Sequence, residues 1–159
     1  MLTMQTTLTT LTTWISSRTR TKHRTLPAML PTTATITAPT IAQASQNPSS
    51  GDYAQSRVIK ITYTATNVQS PEYYFKSSVS ATVASGVVTA AYGTGTNPGD
   101  YASSNVTTLV ANTWYRTTST TPSITYTSNG TLYAITKDGN NFSGQASYTV
   151  AQTSAGTPS

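Results

Sequence analysis

The sequence of 159 residues contains no cysteine, one histidine and only four acidic residues. Without cysteine there are no disulfide staples and no metal sites built on thiolates. The single histidine, His23, lies among positively charged neighbours, where no catalytic triad with a serine and an acid is expected. No spacing pairs two of the four acids for acid-base chemistry. The sequence therefore predicts a protein that is not an enzyme and that holds no cofactor and no metal.

Charged residues make up only 8% of the chain and are unevenly distributed. Residues 1–51 contain four Lys or Arg residues and no acid, whereas residues 52–159 contain five Lys or Arg residues and all four acids. A positive field on the first segment attracts polyanions, and the second segment is nearly neutral. We therefore expect a basic, Thr- and Pro-rich arm and linker over residues 1–51 and a folded domain over residues 52–159. No hydrophobic run is long enough to predict a membrane span.

Hydroxyl residues are abundant, with 36 Thr and 20 Ser. Threonine is β-branched, and its restricted side chain suits strands better than helices. Alternation of apolar and polar residues after residue 52, interrupted by turn residues, predicts about eight short antiparallel strands. The predicted strands span residues 57–66, 72–84, 86–93, 105–110, 113–118, 123–128, 131–137 and 145–152. This pattern predicts an all-β fold with a single β-sandwich, and we expect a jelly roll in preference to an immunoglobulin-like sandwich.

Two turn signals lie in the last third of the chain. Asn129-Gly130 separates SITYTS from TLYAITK, and Asn-Gly is the preferred pair in a two-residue hairpin turn. We therefore expect residues 123–128 to pair with residues 131–137. Lys137-Asp138-Gly139-Asn140 predicts a further reversal before the last strand. The aromatic residues fall mostly on strands with no interleaved basic residues, which favours core positions over a nucleic-acid stacking surface.

The arm contains a compact basic cluster formed by Arg18, Arg20, Lys22 and Arg24. Three interpretations fit this cluster: a nucleic-acid-binding arm, the positive start of a secretory signal that ends at Ala42-Gln43-Ala44, or an organelle presequence. Pro27, Pro31 and Pro39 disfavour a continuous helix after the cluster and favour an extended linker.

The arm and the end of the chain carry a family resemblance. The segments TWYRTTS (residues 113–119) and GTLYAITKDGNNFSGQASYTVAQTSAGTPS (residues 130–159) are similar to the closing strands of the shell domain in coat proteins of small icosahedral RNA viruses. The resemblance is to coat proteins of the sobemovirus and tombusvirus kind or of their satellites. It implies a jelly-roll shell domain, self-assembly into a virion and an arm that packages RNA.

The leading hypothesis is therefore a capsid protein that assembles with itself and binds nucleic acid without sequence specificity through Arg18, Arg20, Lys22 and Arg24. It predicts no small-molecule substrate and a location in the virion. The alternative is a secreted or cell-surface filament, pilus or adhesin subunit with a cleaved signal, in which ITAPTIAQASQ completes the open sheet of a neighbour. A third possibility is a lone adhesive or sugar-binding sandwich, which requires exposed Tyr or Trp beside a groove.

Overall fold

The computed structural model describes residues 34–99, 105–154 and 156, and the regular structure in these residues is entirely β. The strands are β1 (Thr35–Ile36), β2 (Thr40–Asn47), β3 (Ser56–Thr62), β4 (Ala65–Thr66), β5 (Glu72–Ser77), β6 (Ala81–Ser85), β7 (Val88–Tyr92), β8 (Thr108–Leu109), β9 (Trp114–Thr117), β10 (Ser123–Tyr126), β11 (Ser128–Asp138), β12 (Asn141–Phe142) and β13 (Ala146–Ser154).

These strands form two main antiparallel sheets. The first sheet has the order β2-β3-β10-β6-β8, and the second has the order β12-β11-β5-β9-β7, with β13 also paired to β11. A small separate ladder joins β1 to β4. The predicted all-β class and the antiparallel sandwich are therefore confirmed.

The core lies between the two sheets and takes side chains from both. Ile59 and Ile61 alternate with exposed Lys60 on β3, and they pack in one cluster with Phe75 and Leu132 of the opposite sheet. Every second residue of a strand faces the same side, so the alternation read from the sequence identifies these inner positions correctly. The same alternation places Phe75 on the inner face of β5.

Two buried tyrosines anchor the core with hydrogen bonds. Burial raises the pKa of Tyr126 to about 12, and its hydroxyl donates to Ser77 Oγ at 2.9 Å across the sandwich. Burial likewise raises the pKa of Tyr63 well above its ordinary value, and its hydroxyl donates to the carbonyl of Tyr74 at 2.8 Å. Both phenols therefore stay protonated at neutral pH and satisfy polar atoms that would otherwise be costly to bury.

The strand order does not confirm the jelly roll. β2, β3 and β10 are neighbours in one sheet, and β13, β11 and β5 are neighbours in the other. These two triplets correspond to the A-B-E and G-F-C neighbours of an immunoglobulin-type sandwich. From β3 to β11, apart from the short β4, consecutive strands alternate between the two sheets, since β3, β6, β8 and β10 lie in the first and β5, β7, β9 and β11 in the second. A jelly roll likewise sends most consecutive strands to opposite sheets. The strand order therefore combines features of both topologies considered from the sequence.

The predicted hairpin at Asn129-Gly130 is wrong. β10 belongs to the first sheet and β11 to the second, so the chain crosses between sheets at Thr127. Asn129 and Gly130 lie inside β11, and a Cβ atom on Gly130 would come within 2.5 Å of Val79 Cγ2. The glycine is needed for a close approach of two chain segments and not for a turn. The reversal at Gly139 and Asn140 is confirmed, because Asp138 pairs with Asn141.

The prediction of a single strand over residues 72–84 is also wrong, because this segment forms the two strands β5 and β6. β5 lies in the second sheet and β6 in the first, so the chain crosses between sheets at residues 78–80. Ser78 pins this crossing to the start of β11, since its backbone N–H donates to the Thr131 carbonyl at 2.9 Å and its Oγ accepts from the Thr131 N–H at 2.8 Å. The two crossings therefore meet at one end of the sandwich.

The structure also differs from the predicted boundary at residue 51. Residues 40–47, expected as linker, form β2 and pair with β3. The segment is charge-free and carries no proline after Pro39, which is buried, so nothing prevents it from extending a sheet. The described residues from 34 onward belong to one compact unit. The basic cluster at residues 18–24 lies outside the described residues.

We predict that Gly130→Ala destabilises the fold by about 1–3 kcal/mol, because the new methyl group overlaps Val79 in a packed region. Urea denaturation followed by circular dichroism measures the free energy of unfolding. Gly144→Ala is the matched control, since a Cβ there meets nothing closer than Ala38 Cβ at 3.8 Å. Equal stability of the two variants would contradict the close approach.

Candidate interaction surfaces

The outer face of the second sheet combines basic and aromatic side chains. Lys76 on β5 lies opposite Trp114 of β9 and Tyr133 of β11. In the next row, Tyr74 lies opposite Arg116 on one side and Ile135 on the other. Basic and aromatic residues therefore do interleave, across strands and not along them. The expectation of no interleaving, which came from reading one strand at a time, is wrong.

The aromatic rings of this face are nonetheless buried. Trp114 is 0% exposed and Tyr74 is 1% exposed. The indole N–H of Trp114 donates to the carbonyl of Gly95 at 2.8 Å, and Lys76 Nζ lies 4.9 Å from the Trp114 ring centroid and 5.4 Å from that of Tyr133. Such cation–π contacts stabilise the sheet face locally. The two covered rings cannot stack on a nucleic-acid base.

Glu72 partly neutralises the same face. Its carboxylate lies 3.4 Å from Lys137 Nζ and accepts a hydrogen bond from the Tyr74 hydroxyl. Burial alone would raise the pKa of Glu72, but the Tyr74 hydrogen bond and the positive charges of Lys137 and Arg116 outweigh it and lower the pKa. Glu72 is therefore ionised at neutral pH, and the face keeps an excess of positive charge.

The second candidate surface is the outer edge of β2. β2 is the terminal strand of its sheet, and six of its eight residues are exposed. It contains no charged residue and no proline. Within the described residues, no other strand forms a ladder along this outer edge. Its outward N–H and C=O groups are therefore available for pairing with another strand.

The third candidate surface is a cleft beside Arg57, on the inner face of the same corner. Arg57 Nε donates to Thr153 Oγ1 at 3.0 Å, and Nη1 donates to Gln43 Oε1 at 2.7 Å. Further donors reach Gln46 Oε1 and the carbonyl of Asp52, the latter at 2.6 Å. Arg57 thus joins the β2–β3 hairpin to β13 through four neutral acceptors.

The strand β13 is distorted where it borders this cleft. Ser128 pairs with Ser154 and Gly130 pairs with Val150, so residues 151–153 of β13 face the single residue Asn129 of β11. Gln152 in this bulge has a φ of 52°, which is uncommon for a residue other than glycine. Ala54 N–H donates to the Gln152 carbonyl at 3.0 Å, and Asn129 Oδ1 accepts from Thr153 N–H at 2.8 Å. These contacts hold the bulge in place.

Over residues 34–99, 105–154 and 156, no helix has the length and apolar character to cross a membrane. Those residues also bring no three His, Cys, Asp or Glu side chains together as a metal site. Arg18, Arg20, Lys22 and Arg24, the predicted nucleic-acid-binding residues, lie outside this part of the chain.

Comparisons of the chain with protein-family models, with curated proteins and with solved structures each found no match.

We predict that Arg57→Ala lowers the free energy of unfolding by about 1–3 kcal/mol, because four hydrogen bonds to a charged donor are lost together. Denaturant titration measures the change. Lys60→Ala is the control, since Lys60 is exposed on the other face of the same strand and its removal should change stability by less than about 0.5 kcal/mol. An Arg57→Ala variant as stable as the control would show that these four hydrogen bonds do not contribute to the stability of the fold.

Proposed function

We propose that the protein is a structural subunit without enzymatic activity that self-assembles by pairing the outer edge of β2 with another copy. The observation that carries the proposal is the exposed, charge-free strand Thr40–Asn47 at the end of a sheet. Natural sheets usually protect such an edge with charge, with proline or by covering it. A bulge between Gln43 and Ser45 is the one protective irregularity within β2, and it leaves residues 40–43 in regular pairing.

The sheet geometry favours a two-fold arrangement. The opposite edge of the same sheet is β8, which has only two residues and offers little backbone for pairing. A head-to-tail chain of copies through this sheet would need two matching edges. Pairing of β2 with β2 of a second copy uses the same edge on both subunits. The result is a closed antiparallel dimer. Such dimers are building blocks, and a larger assembly requires a second contact.

Two forms of assembly remain open as proposals. The capsid form is supported by the acid-free arm with Arg18, Arg20, Lys22 and Arg24, and by the coat-protein resemblance of the chain end. In it the arm binds packaged nucleic acid through phosphates, and the protein resides in the virion. The secreted or cell-surface filament or adhesin form is supported by the exposed, charge-free edge of β2, which offers backbone for pairing with a neighbouring subunit.

Signal cleavage after Ala44 fits the fold poorly. It would remove Thr40 through Ala44, which is more than half of β2, and would uncover the edge of β3. The charge-free segment ITAPTIAQASQ also pairs within its own sheet, so its proposed role as a strand donated to a neighbour requires an exchange between copies. A processed subunit that keeps the whole of β2 begins no later than Thr40.

We predict that replacing Thr40 and Ala42 together by glutamate weakens dimerisation about tenfold, because like charges then meet across the paired edges. Ala42 lies opposite Lys60 within the chain, so the new charges do not harm the subunit itself. Sedimentation equilibrium measures the dissociation constant. The control replaces Thr82 and Ala84, both exposed on the interior strand β6, by glutamate. A wild-type chain that stays monomeric at high concentration refutes edge pairing.

The two forms differ in nucleic-acid content. We predict, for the capsid form, that purified particles contain a chain retaining Arg18 to Arg24 by intact mass and show the ultraviolet absorbance of nucleic acid. Changing Arg18, Arg20, Lys22 and Arg24 to alanine should then remove most of that nucleic acid, whereas Lys60→Ala should not. Particles with a pure protein spectrum, or a mass that begins after Arg24, would contradict the capsid form and support the filament or adhesin form.

A further inference from the structure

The cleft beside Arg57 combines polar side chains with the margin of the core, to which Val150 belongs and against which Tyr148 packs. It is an open depression of about 160 Å³ between the two sheets, bordered by the β2–β3 hairpin on one side and by β13 on the other. Its lining is mostly polar and consists of Gln43, Arg57, Tyr148, Thr149, Val150, Ala151 and Gln152. A depression of this size holds about one small polar molecule or one unit of a larger one.

The charge of Arg57 is uncompensated at this position. All four of its acceptors are neutral oxygens, and within the described residues the ion pair between Lys137 and Glu72 is the one salt bridge. A guanidinium group has five N–H donors, so one terminal N–H has no acceptor in the described part of the chain. This remaining N–H and the uncompensated charge suit Arg57 to a single charge-assisted hydrogen bond with an anion such as a carboxylate.

The remaining wall offers groups that recognise hydroxyls and a ring. Tyr148 is half-buried at the rim and combines an apolar ring with a phenolic hydroxyl. Gln152 also lines the cleft, and a glutamine side chain both donates and accepts hydrogen bonds, whereas the amide of Gln43 is engaged by Arg57 and Gln46. A guanidinium N–H, an aromatic ring and one amide placed around a small cleft match a sugar that carries a carboxylate.

Backbone strain at the same place supports a binding role. Gln152, with its φ of 52°, lies in the wall of the cleft and is held there by Ala54 and by the bulge of β13. A non-glycine residue in the left-handed region is destabilising, and such residues cluster at binding sites. The bulge of β13 imposes this φ, and it leaves the exposed side chain of Gln152 beside the cleft.

We propose that this cleft binds a single carboxylate-bearing sugar residue, of the uronic acid class, with Arg57 on the carboxylate and Tyr148 against the ring. Binding is separate from assembly, since edge pairing uses the backbone of β2 and the ligand meets side chains on the inner face. The site would give the subunit an affinity for acidic saccharides. The proposed site consists of described residues alone and does not involve the arm.

The test is a titration of the isotope-labelled full chain with glucuronate, in which NMR measures the chemical shifts of the backbone amides. Glucose and acetate serve as separate probes for the ring and the carboxylate alone. We expect saturable shifts confined to residues 148–153, 43 and 57 with glucuronate, and at least about tenfold weaker binding of glucose or acetate. Arg57→Lys keeps the charge, but an ammonium group cannot hold the four protein acceptors and present a further N–H in one fixed plane, so it should weaken glucuronate binding at least about fivefold.

Two variants separate binding from folding. Gln152→Gly relieves the strained φ, so it should raise the midpoint of urea denaturation while it weakens glucuronate binding. Lys60→Ala removes a cation from the opposite face of β3 and should leave binding unchanged. The proposal would be overturned if glucuronate caused no saturable shifts or if glucose or acetate bound as tightly as glucuronate. It would also be overturned if Lys60→Ala weakened glucuronate binding as much as Arg57→Lys does. The variant with glutamate at positions 40 and 42 should bind glucuronate as tightly as the wild type. The proposals of edge pairing and of glucuronate binding can therefore be refuted independently.

Discussion

The sandwich depends on the close approach of Gly130 to Val79 and Tyr126, where two crossings between the sheets meet. One crossing follows β5 and the other precedes β11, and Ser78 ties them together through two hydrogen bonds to Thr131. Because residue 130 has no side chain, the crossing segments come into contact and the Tyr126 hydroxyl reaches Ser77 across the core. Each sheet is thereby fixed against the other, and the inner faces of β3, β5, β10 and β11 are covered.

The corner formed by β2, β3 and β13 is held by polar contacts and not by close apolar packing. The inner face there carries Arg57, Gln43 and Gln46 in place of apolar residues, so the core gives way to a network of hydrogen bonds. Polar residues that point inward let water reach the interior and open a cleft. The edge strand β2 pairs with β3 and is tied to β13 through this network, and among the described residues no strand pairs with its outer side. The proposed edge pairing and the proposed ligand site therefore lie at the same polar corner.

Much of the fold could be predicted from the sequence. The all-β class followed from threonine content, and the inner positions Ile59, Ile61 and Phe75 followed from their alternation. Strand pairing could not be predicted as well, because local turn chemistry says nothing about which sheet a strand joins. Asn129-Gly130 has the residues of a hairpin turn, but tertiary packing uses its glycine for close contact and its asparagine to hold Thr153.

The candidate surfaces were harder to predict than the fold. Interleaving of Lys76 with Trp114 and Tyr133 arises only when three strands lie side by side, and their separation along the chain conceals it. Pro27, Pro31 and Pro39 predict an extended linker where β2 forms, and TIAQASQN has only weak strand signals of its own. The Arg57 cleft joins residues about a hundred positions apart, which no local pattern reports.

The central claim is that residues 40–47 form an edge strand whose outer side pairs with another copy. Amide hydrogen exchange of these residues, measured at low and at high protein concentration, tests it most directly. At low concentration the account predicts protection of the amides that bond to β3 and rapid exchange of those that face outward. At high concentration the outward amides should become protected as well. Rapid exchange of every amide from 40 to 47, or a pattern unaffected by concentration, would contradict the account.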